Sequence, residues 1–186
     1  MQAPSLLGFI RFIMDQDIVL DNAYRYDPID SDIDLLGRYF DYSDDGDGII
    51  RRIGNRGSGG STLCLILAIY LMQATREPVT IFYPKGDMIP SLGNIINSVH
   101  IDDFSLNVSK VQRNVYRKYE LKLRGTECGY KAFLHVELLN GPQKLLGRGP
   151  IGNVIVDNAS LLSEMSYIEN LLNISKRPGD KILINM

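Results

Sequence analysis

The sequence predicts an α/β fold in which a mostly parallel sheet is covered by helices on both faces. Short apolar segments alternate with segments of helical character, and a glycine-rich loop joins the first core strand to a strongly apolar helix. Strands that are buried on both faces appear as continuous apolar runs, because neither face meets water. The 186 residues, of which 45% are hydrophobic, suffice for one buried core.

The first 48 residues are predicted to form an N-terminal helix followed by an acidic lid or extension. Residues 5–14 carry apolar side chains at helical spacing and predict a helix that packs on the main body. Residues 15–47 contain eleven Asp and only two Arg. An Asp-Pro pair at 27–28 and the turn-forming residues 44–48 interrupt this segment, so we expect a loop with one short helix at 35–40.

Residues 49–186 are predicted to form the core. Four apolar segments predict parallel strands, at 49–53, 79–83, 154–156 and 181–186. Three segments between them predict helices, at 63–73, 88–99 and 164–175. Two segments that alternate apolar and polar residues, 115–123 and 132–139, predict an added antiparallel strand pair joined by a turn.

The loop after the first core strand predicts a phosphate-binding site. Gly54 and Gly59 have the spacing of the pattern G-x-x-x-x-G-K-[ST], in which backbone N–H groups and a helix N-terminus face phosphate oxygens. Ser61 occupies the hydroxyl position that holds Mg²⁺, whereas Gly60 stands where the lysine belongs. A glycine-rich turn with a purely structural role is the alternative interpretation. The candidate phosphate-binding residues are Gly57, Ser58, Gly59, Gly60, Ser61 and Thr62.

A second motif lies at the end of the strand at 154–156. Asp157 follows this buried strand, which would hold its carboxylate rigidly at the carboxyl edge of the sheet, where it can share a Mg²⁺ ion with Ser61. Asn158 stands where a glutamate would normally polarise the attacking water; its amide can orient a water molecule but cannot accept a proton. Taken alone, the same residues are also compatible with an ordinary strand that ends in a turn.

In their order along the chain, these motifs resemble the ATPase domain of the viral and phage terminase large subunits. Residues 56–61 are similar to the family's first motif, R-x-x-G-K-[ST], except at Gly60. Residues 148–149 match an Arg-Gly loop shortly before the aspartate strand, and residues 154–160 match the strand and its acidic end except at Asn158. The resemblance covers about residues 48–186 and implies a P-loop NTPase fold of the RecA/ASCE type.

The resemblance also implies roles for individual residues. Arg56 would contact the γ-phosphate, Ser61 and Asp157 would hold Mg²⁺ beside ATP, and Arg56, Arg148 and the residue at 158 would form the catalytic set. The last strand reaches the position of the family's coupling motif without its hydroxyl side chains. The family's nuclease domain has no counterpart here, so we expect a fragment or a shortened homologue.

Two functions remain open because of Gly60 and Asn158. The first is the ATPase domain of a double-stranded DNA packaging motor with weak or no ATP hydrolysis, working as a homo-oligomeric ring with portal and capsid components. The second is a catalytically degenerate P-loop fold that acts as a structural, assembly or DNA-binding module. A third, weaker interpretation makes the loop a nest for another phosphorylated ligand. Natural loss and deliberate inactivation would both produce these two residues.

Composition and charge narrow the other possibilities. A net charge of −2 argues against a basic nucleic-acid binder overall, although residues 110–148 hold nine Lys/Arg against three Glu. That cluster predicts either a polyanion-facing side or a solvated strand face. The longest apolar run, 63–72, is too short to cross a bilayer, and the N-terminus lacks a basic leader. We therefore expect a protein inside the host cell, neither secreted nor bound to a membrane.

The sequence contains partial patterns of calcium and zinc sites, but the spacing of the ligand residues argues against both. Residues 41–46 resemble the start of a calcium loop, but Arg52 stands at its twelfth position, where a bidentate glutamate belongs. His100 and His135 lack the spacing of zinc ligands. Cys64 and Cys128 are interpreted as ordinary thiols in a reducing compartment, with Cys64 inside an apolar helix.

Overall fold

The computed structural model describes residues 3–15, 19–20, 27–41, 48–54, 57–88, 99–100, 104–112, 116–123, 132–148 and 151–186. Four helices lie in these segments: α1 (Leu6–Asp15), α2 (Asp30–Phe40), α3 (Gly60–Thr75) and α4 (Met165–Ser175). The strands are β1 (Val19–Leu20), β2 (Ile49–Arg52), β3 (Val79–Tyr83), β4 (Val99–His100), β5 (Phe104–Gln112), β6 (Tyr116–Leu123), β7 (Ala132–Leu138), β8 (Asn153–Val156) and β9 (Ile182–Asn185). Two short 3₁₀ turns span Pro142–Lys144 and Ala159–Leu161.

The main sheet has seven strands in the order β2-β9-β8-β3-β7-β6-β5. The pairs from β2 through β7 are all parallel, whereas β6 runs antiparallel to β7 and β5 antiparallel to β6. The predicted α/β class is therefore confirmed, with the four predicted parallel strands in one sheet and the predicted antiparallel pair at its side. A separate two-stranded antiparallel sheet joins β1 and β4.

The strand β5 was not predicted from the sequence. Its apolar residues fall at 104, 106 and 108 and then at 111, so the alternation of period two is interrupted once. The pairing of β5 with β6 shifts its register between Val108 and Lys110, at the point where the alternation is interrupted. A β-bulge adds one unpaired residue to a strand, which hides the strand from a search for strict alternation.

The helix α3 lies at the centre of the core. All ten residues from Leu63 to Met72 are buried, which requires cover on more than one side of the helix. The sheet provides one cover and α1 the other, since the Phe9 ring meets the Tyr70 ring edge to face at 5.5 Å between centroids. The backbone N–H of Ser5 also donates to the Tyr70 hydroxyl at 3.1 Å. The predicted packing of the first helix on the main body is thus observed.

The helix α2 adds to the same side of the core and begins five residues earlier than predicted. Leu35, Leu36 and Tyr39 are buried beside α1 and α3. Asp30 and Asp32 lie in the first turn of the helix, where negative charge interacts favourably with the exposed N–H groups of the helix N-terminus. This acidic start extends the helix into a segment that was predicted to be a loop.

The opposite face of the sheet is covered by α4. Ile168 and Leu172 pack against strand residues that alternate with those facing α3. Within β8, for example, Ile155 faces α3 while Val154 and Val156 face α4, as the period of two along a strand requires. Helices therefore cover both faces of the parallel strands, as expected.

Some predicted elements fall outside the described residues. Of the helix predicted at 88–99, residues 89–98 lie outside them, and Val99 belongs to β4. The turn predicted between β6 and β7 also lies outside them. Within the part of the chain that the structure describes, no helix is long and apolar enough to span a membrane.

Candidate functional site at the carboxyl edge of the sheet

The carboxyl edge of the parallel strands opens into a cavity of about 610 Å³. Its walls come from the end of β2, the glycine-rich loop, the start of α3, and the segments that follow β3, β8 and β9. The residues that line it are Arg52, Gly54, Gly57, Ser58, Gly60, Ser61, Lys85, Asp87, Met88, Asn158, Ser160, Leu161, Asn185 and Met186. In open parallel sheets this edge is the usual position of a ligand site.

The glycine-rich loop reaches α3 through two left-handed residues. Gly57 has φ 86° and Gly59 has φ 78°, a region that residues with a side chain rarely adopt. Gly59 is the N-cap of α3, and its carbonyl accepts the first helical hydrogen bond, from Leu63 N at 2.9 Å. The helix N-terminus therefore starts inside the loop. A nest of backbone N–H groups at a helix N-terminus suits an anion.

The structure places most of the predicted phosphate-binding residues together. Gly57, Ser58, Gly60 and Ser61 line the cavity. Gly59 and Thr62 belong to the same loop and helix start without lining the cavity themselves. Arg56, predicted to contact the γ-phosphate, lies outside the described residues.

Asp157 and Asn158 lie at the same edge as Ser61. Asn158 lines the cavity together with Ser61, and Asp157 precedes it with an exposed fraction of 0%. The Asp157 backbone N–H continues the sheet by donating to the Phe82 carbonyl at 3.0 Å, which holds the carboxylate at the end of β8. Asn158 has φ 54°, a left-handed conformation that asparagine tolerates better than most residues.

The Asp157 carboxylate is only half satisfied by the protein. Its Oδ1 accepts hydrogen bonds from Asn185 Nδ2 at 2.5 Å and from the Asn158 backbone N–H at 2.9 Å. Its Oδ2 is buried and has no hydrogen-bond partner among the described residues. An unpaired buried carboxylate oxygen is costly. A bound cation would remove that cost, and Mg²⁺ prefers oxygen ligands such as this carboxylate and the Ser61 hydroxyl.

Arg52 is the principal residue of the site that the sequence did not identify. It ends β2, is 5% exposed, and its Nε donates to Asp32 Oδ1 at 2.8 Å. Its Nη1 also donates to Asn185 Oδ1 at 3.2 Å. A buried chain of polar groups therefore runs from Asp32 through Arg52 and Asn185 to Asp157. The only sequence signals were a charged residue at the end of β2 and an amide at the end of the buried strand β9.

The thiol of Cys64 lies within reach of the same charges. Burial raises the pKa of Cys64 well above its ordinary value, and the negative charge of Asp157 raises it further. The guanidinium of Arg52 acts in the opposite direction, and Asp32 adds a smaller increase. Cys64 lies one turn into α3, so Asp157, Arg52 and Asp32 all approach the base of the glycine-rich loop.

Arg148 is not brought to this cavity. Its guanidinium forms a double hydrogen bond with Glu137, at 2.6 and 2.8 Å, and lies over the Phe82 ring at 5.3 Å from the centroid. It lines a second cavity, of about 380 Å³, together with Pro78 and Gly152, which precede β3 and β8. The mostly buried carboxylate of Glu137 thus holds Arg148 beside Phe82, and Glu137 and Phe82 lie one position before the ends of β7 and β3. Arg148 does not line the 610 Å³ cavity, and its catalytic role stays a prediction.

Several other sequence features are placed as follows. Of the basic residues of 110–148, those at 110–131 have side chains outside the described residues, Lys144 is exposed, and Arg148 is paired as above. His135 lines the second cavity, and the suggested calcium loop lies mostly outside the described residues. No group of three or more His, Cys, Asp or Glu side chains is arranged to hold a metal in the described segments.

Comparison with known proteins identifies the fold. No protein-family model and no curated protein matches the sequence. Among solved structures, the large terminase from a thermophilic bacteriophage aligns with a TM-score of 0.56 at 15% identity, over 86% of this chain and 39% of that one. The same terminase in complex with ATP-gamma-S gives a TM-score of 0.53 at 13% identity, over 84% and 37% of the two chains. The Thermus phage P74-26 large terminase ATPase domain gives 0.48 at 17% identity, over 87% and 70%.

These alignments show a shared fold. The chain shares its fold with part of the large terminase of a thermophilic bacteriophage and spans less than two fifths of that protein's length. At such identities the comparison concerns the backbone, so the activity of this chain rests on its own site residues.

Proposed function

We propose that this chain is a terminase-like ATPase domain of a viral double-stranded DNA packaging motor that binds Mg²⁺·ATP weakly and hydrolyses it slowly or not at all. The observation that carries the proposal is the fully buried Oδ2 of Asp157, which has no hydrogen-bond partner among the described residues and lies at the same edge as the Ser61 loop. A loop of left-handed glycines at a helix N-terminus offers donors for phosphates, and the carboxylate offers a ligand for their counter-ion.

The residues present fit a magnesium–nucleotide ligand. Asp157 Oδ2 and the Ser61 hydroxyl would hold the ion, and the backbone N–H groups of residues 58–62 would face the phosphates. Mg²⁺ is commonly bound by one or two protein ligands together with phosphate oxygens and water, so a larger carboxylate cluster is not required. When bound, the ion would offset the negative charge of the phosphates.

The site carries no base at position 158, although one exposed carboxylate, Asp87, also lines the cavity. Asn158 lines the cavity and can orient a water molecule, but its amide cannot take the proton of that water. Asp157 already accepts two hydrogen bonds through Oδ1, and its Oδ2 is assigned to the ion. Binding with little turnover is the behaviour that this arrangement supports.

The partners follow from the proposed motor role. The aligned structures are named as phage large terminases, which supports double-stranded DNA and the portal or capsid components of a packaging motor as partners. A homo-oligomeric ring inside the host cell is the assembly in which such a domain would act. Arg56, if it faces the γ-phosphate, would belong to the same nucleotide site.

The second candidate is a structural, assembly or DNA-binding module that has lost nucleotide chemistry. The observation that favours it is Gly60, because this position of the loop carries no charge of its own. Under this alternative the loop and Asp157 would serve folding alone, and no dependence on Mg²⁺ would be expected. The two candidates therefore differ in a measurable property.

The experiment is an ATP titration by calorimetry with and without Mg²⁺, on the unmodified chain and on Asp157→Ala. We expect dissociation constants weaker than micromolar for the unmodified chain, tightened by Mg²⁺, and no effect of Mg²⁺ in Asp157→Ala because the ion loses its carboxylate. Ser160→Ala, a change at an exposed residue lining the same cavity, is the matched control and should behave as the unmodified chain. No effect of Mg²⁺ on the unmodified chain, or no ATP binding at all, would favour the second candidate.

A further inference from the structure

We propose that Arg52 supplies, from the end of β2, the positive charge toward the phosphates that Gly60 lacks. The inference rests on the proposed nucleotide function and identifies one more binding residue for the same site. It starts from the space around Gly60. A Cβ built on Gly60 would lie 2.6 Å from Arg52 Nη1 and 2.7 Å from Asn185 Oδ1. The guanidinium thus occupies the room beside the position from which the usual lysine would extend.

The guanidinium borders the cavity, and its ion-pair partner lies behind it. Arg52 lines the cavity together with Ser58, Gly60 and Ser61, whereas Asp32 does not. The side chains of Arg52 and Asp32 are 6% and 7% exposed, so the pair is held by the protein rather than by solvent. A charge fixed in this way beside the loop costs no rearrangement of the backbone when an anion arrives.

The hydrogen bonds of Arg52 fall into two groups. Nε binds the Asp32 carboxylate at 2.8 Å, which is a strong charge-assisted contact. Nη1 donates to two neutral acceptors, Ser58 Oγ and Asn185 Oδ1, both at 3.2 Å, near the long end of the normal range. Nη2 reaches the Ser58 carbonyl at 3.2 Å, Ser58 Oγ at 3.3 Å and Asp32 Oδ2 at 3.4 Å. A phosphate oxygen would be a stronger acceptor than the two neutral groups that Nη1 contacts, so Nη1 is the atom that would turn to it.

Another cation lines the same cavity and provides the control. Lys85 follows β3 and is exposed, so its charge is screened by water and its side chain is free to take many conformations. Removing it should weaken ATP binding little. Gly60 and Arg52 are also linked sterically, since only glycine leaves room for the guanidinium. The missing lysine and the placement of Arg52 therefore form one arrangement.

The experiment measures ATP binding by calorimetry, together with the shift in thermal midpoint that ATP produces, in Arg52→Gln, Arg52→Lys, Asp32→Asn and Lys85→Gln. We expect Arg52→Gln to weaken binding at least about tenfold, Arg52→Lys to recover part of the loss, and Lys85→Gln to change it less than about threefold. Asp32→Asn should bind ATP more tightly than the unmodified chain, because it keeps an acceptor for Nε and removes the competing negative charge.

The sign of the Asp32→Asn effect separates binding from a purely structural role. If Arg52 only holds the loop in place, Asp32→Asn and Arg52→Gln should both lose affinity in step with their loss of thermal stability, and this result would overturn the inference. If Arg52→Gln does not fold, the Asp32→Asn variant still tests the inference. An ATP-induced shift in thermal midpoint larger than that of the unmodified chain supports the inference, and a smaller shift contradicts it. Unchanged affinity in Arg52→Gln would refute the inference alone, whereas ATP binding by none of these proteins would refute the proposed function with it.

Discussion

The unmodified chain is expected to hydrolyse ATP too slowly for a steady-state phosphate-release assay to detect. Asn158 lines the cavity but cannot accept the proton of the attacking water, and loss of a general base commonly costs about 10²–10⁴ in rate. In related phosphoryl-transfer enzymes an arginine from a neighbouring subunit contributes about 10³–10⁵, and an isolated chain lacks that contribution as well. The losses need not multiply, because residues that act as a unit are not additive.

Restoring the acid at position 158 is not expected to recover full activity. Asn158 has φ 54°, and placing a glutamate in this left-handed conformation costs about 1–2 kcal/mol. Asn158→Glu should raise turnover above that of the unmodified chain only if the new carboxylate reaches the water. The control is Asn158→Gln, whose side chain has the same length but no basic group. Robust hydrolysis by the unmodified chain that Asp157→Ala abolishes would contradict this account and restore an active motor.

Gly60→Lys is expected to destabilise the chain rather than to repair the loop. The Cβ of the new side chain would lie 2.6 Å from Arg52 Nη1 and 2.7 and 2.8 Å from the amide atoms of Asn185. The ends of the Arg52 and Asn185 side chains have to shift, which disturbs the buried hydrogen bonds that join Arg52, Asn185 and Asp157, and an unmade buried hydrogen bond costs about 1–3 kcal/mol. Denaturant unfolding should show a loss of this size in the free energy of unfolding, with ATP hydrolysis still undetectable.

The matched comparison is Gly60→Lys in a chain that also carries Arg52→Ala and Asp32→Ala. Removal of both members of the ion pair frees the space beside the loop without leaving an unpaired buried charge. The lysine should then be better tolerated. The loss in the free energy of unfolding caused by Gly60→Lys should be smaller in the Arg52→Ala/Asp32→Ala background than in the unmodified chain. If Gly60→Lys costs the same free energy of unfolding in both backgrounds, position 60 and the ion pair do not compete for the same space.

The sequence predicted the arrangement of the sheet well because its parallel strands are buried on both faces. Every residue of β3 and β8 is buried, so apolar side chains dominate these runs and make them easy to recognise. The antiparallel pair was found from alternation. The strand β5 was missed because its register shift interrupts the alternation. The short helix predicted at 35–40 begins earlier than expected, with Asp30 and Asp32 in its first turn.

The site was predictable only in part. The positions of Ser61 and Asp157 follow from local patterns, namely a glycine loop after one strand and an acid after another. The role of Arg52 depends on contacts with Asp32, 20 residues earlier, and Asn185, 133 residues later, which no local pattern contains. Arg148 shows the reverse: it matches a motif in sequence, yet Glu137 holds it away from the cavity.

The most direct test of the central claim is a crystal structure of the chain with Mg²⁺ and a non-hydrolysable ATP analogue. The account predicts phosphates against the backbone N–H groups of residues 58–62, the ion between Asp157 Oδ2 and the Ser61 hydroxyl, and an Arg52 Nη atom turned to a phosphate oxygen. Phosphates bound elsewhere, or an ion that does not contact Asp157, would contradict it.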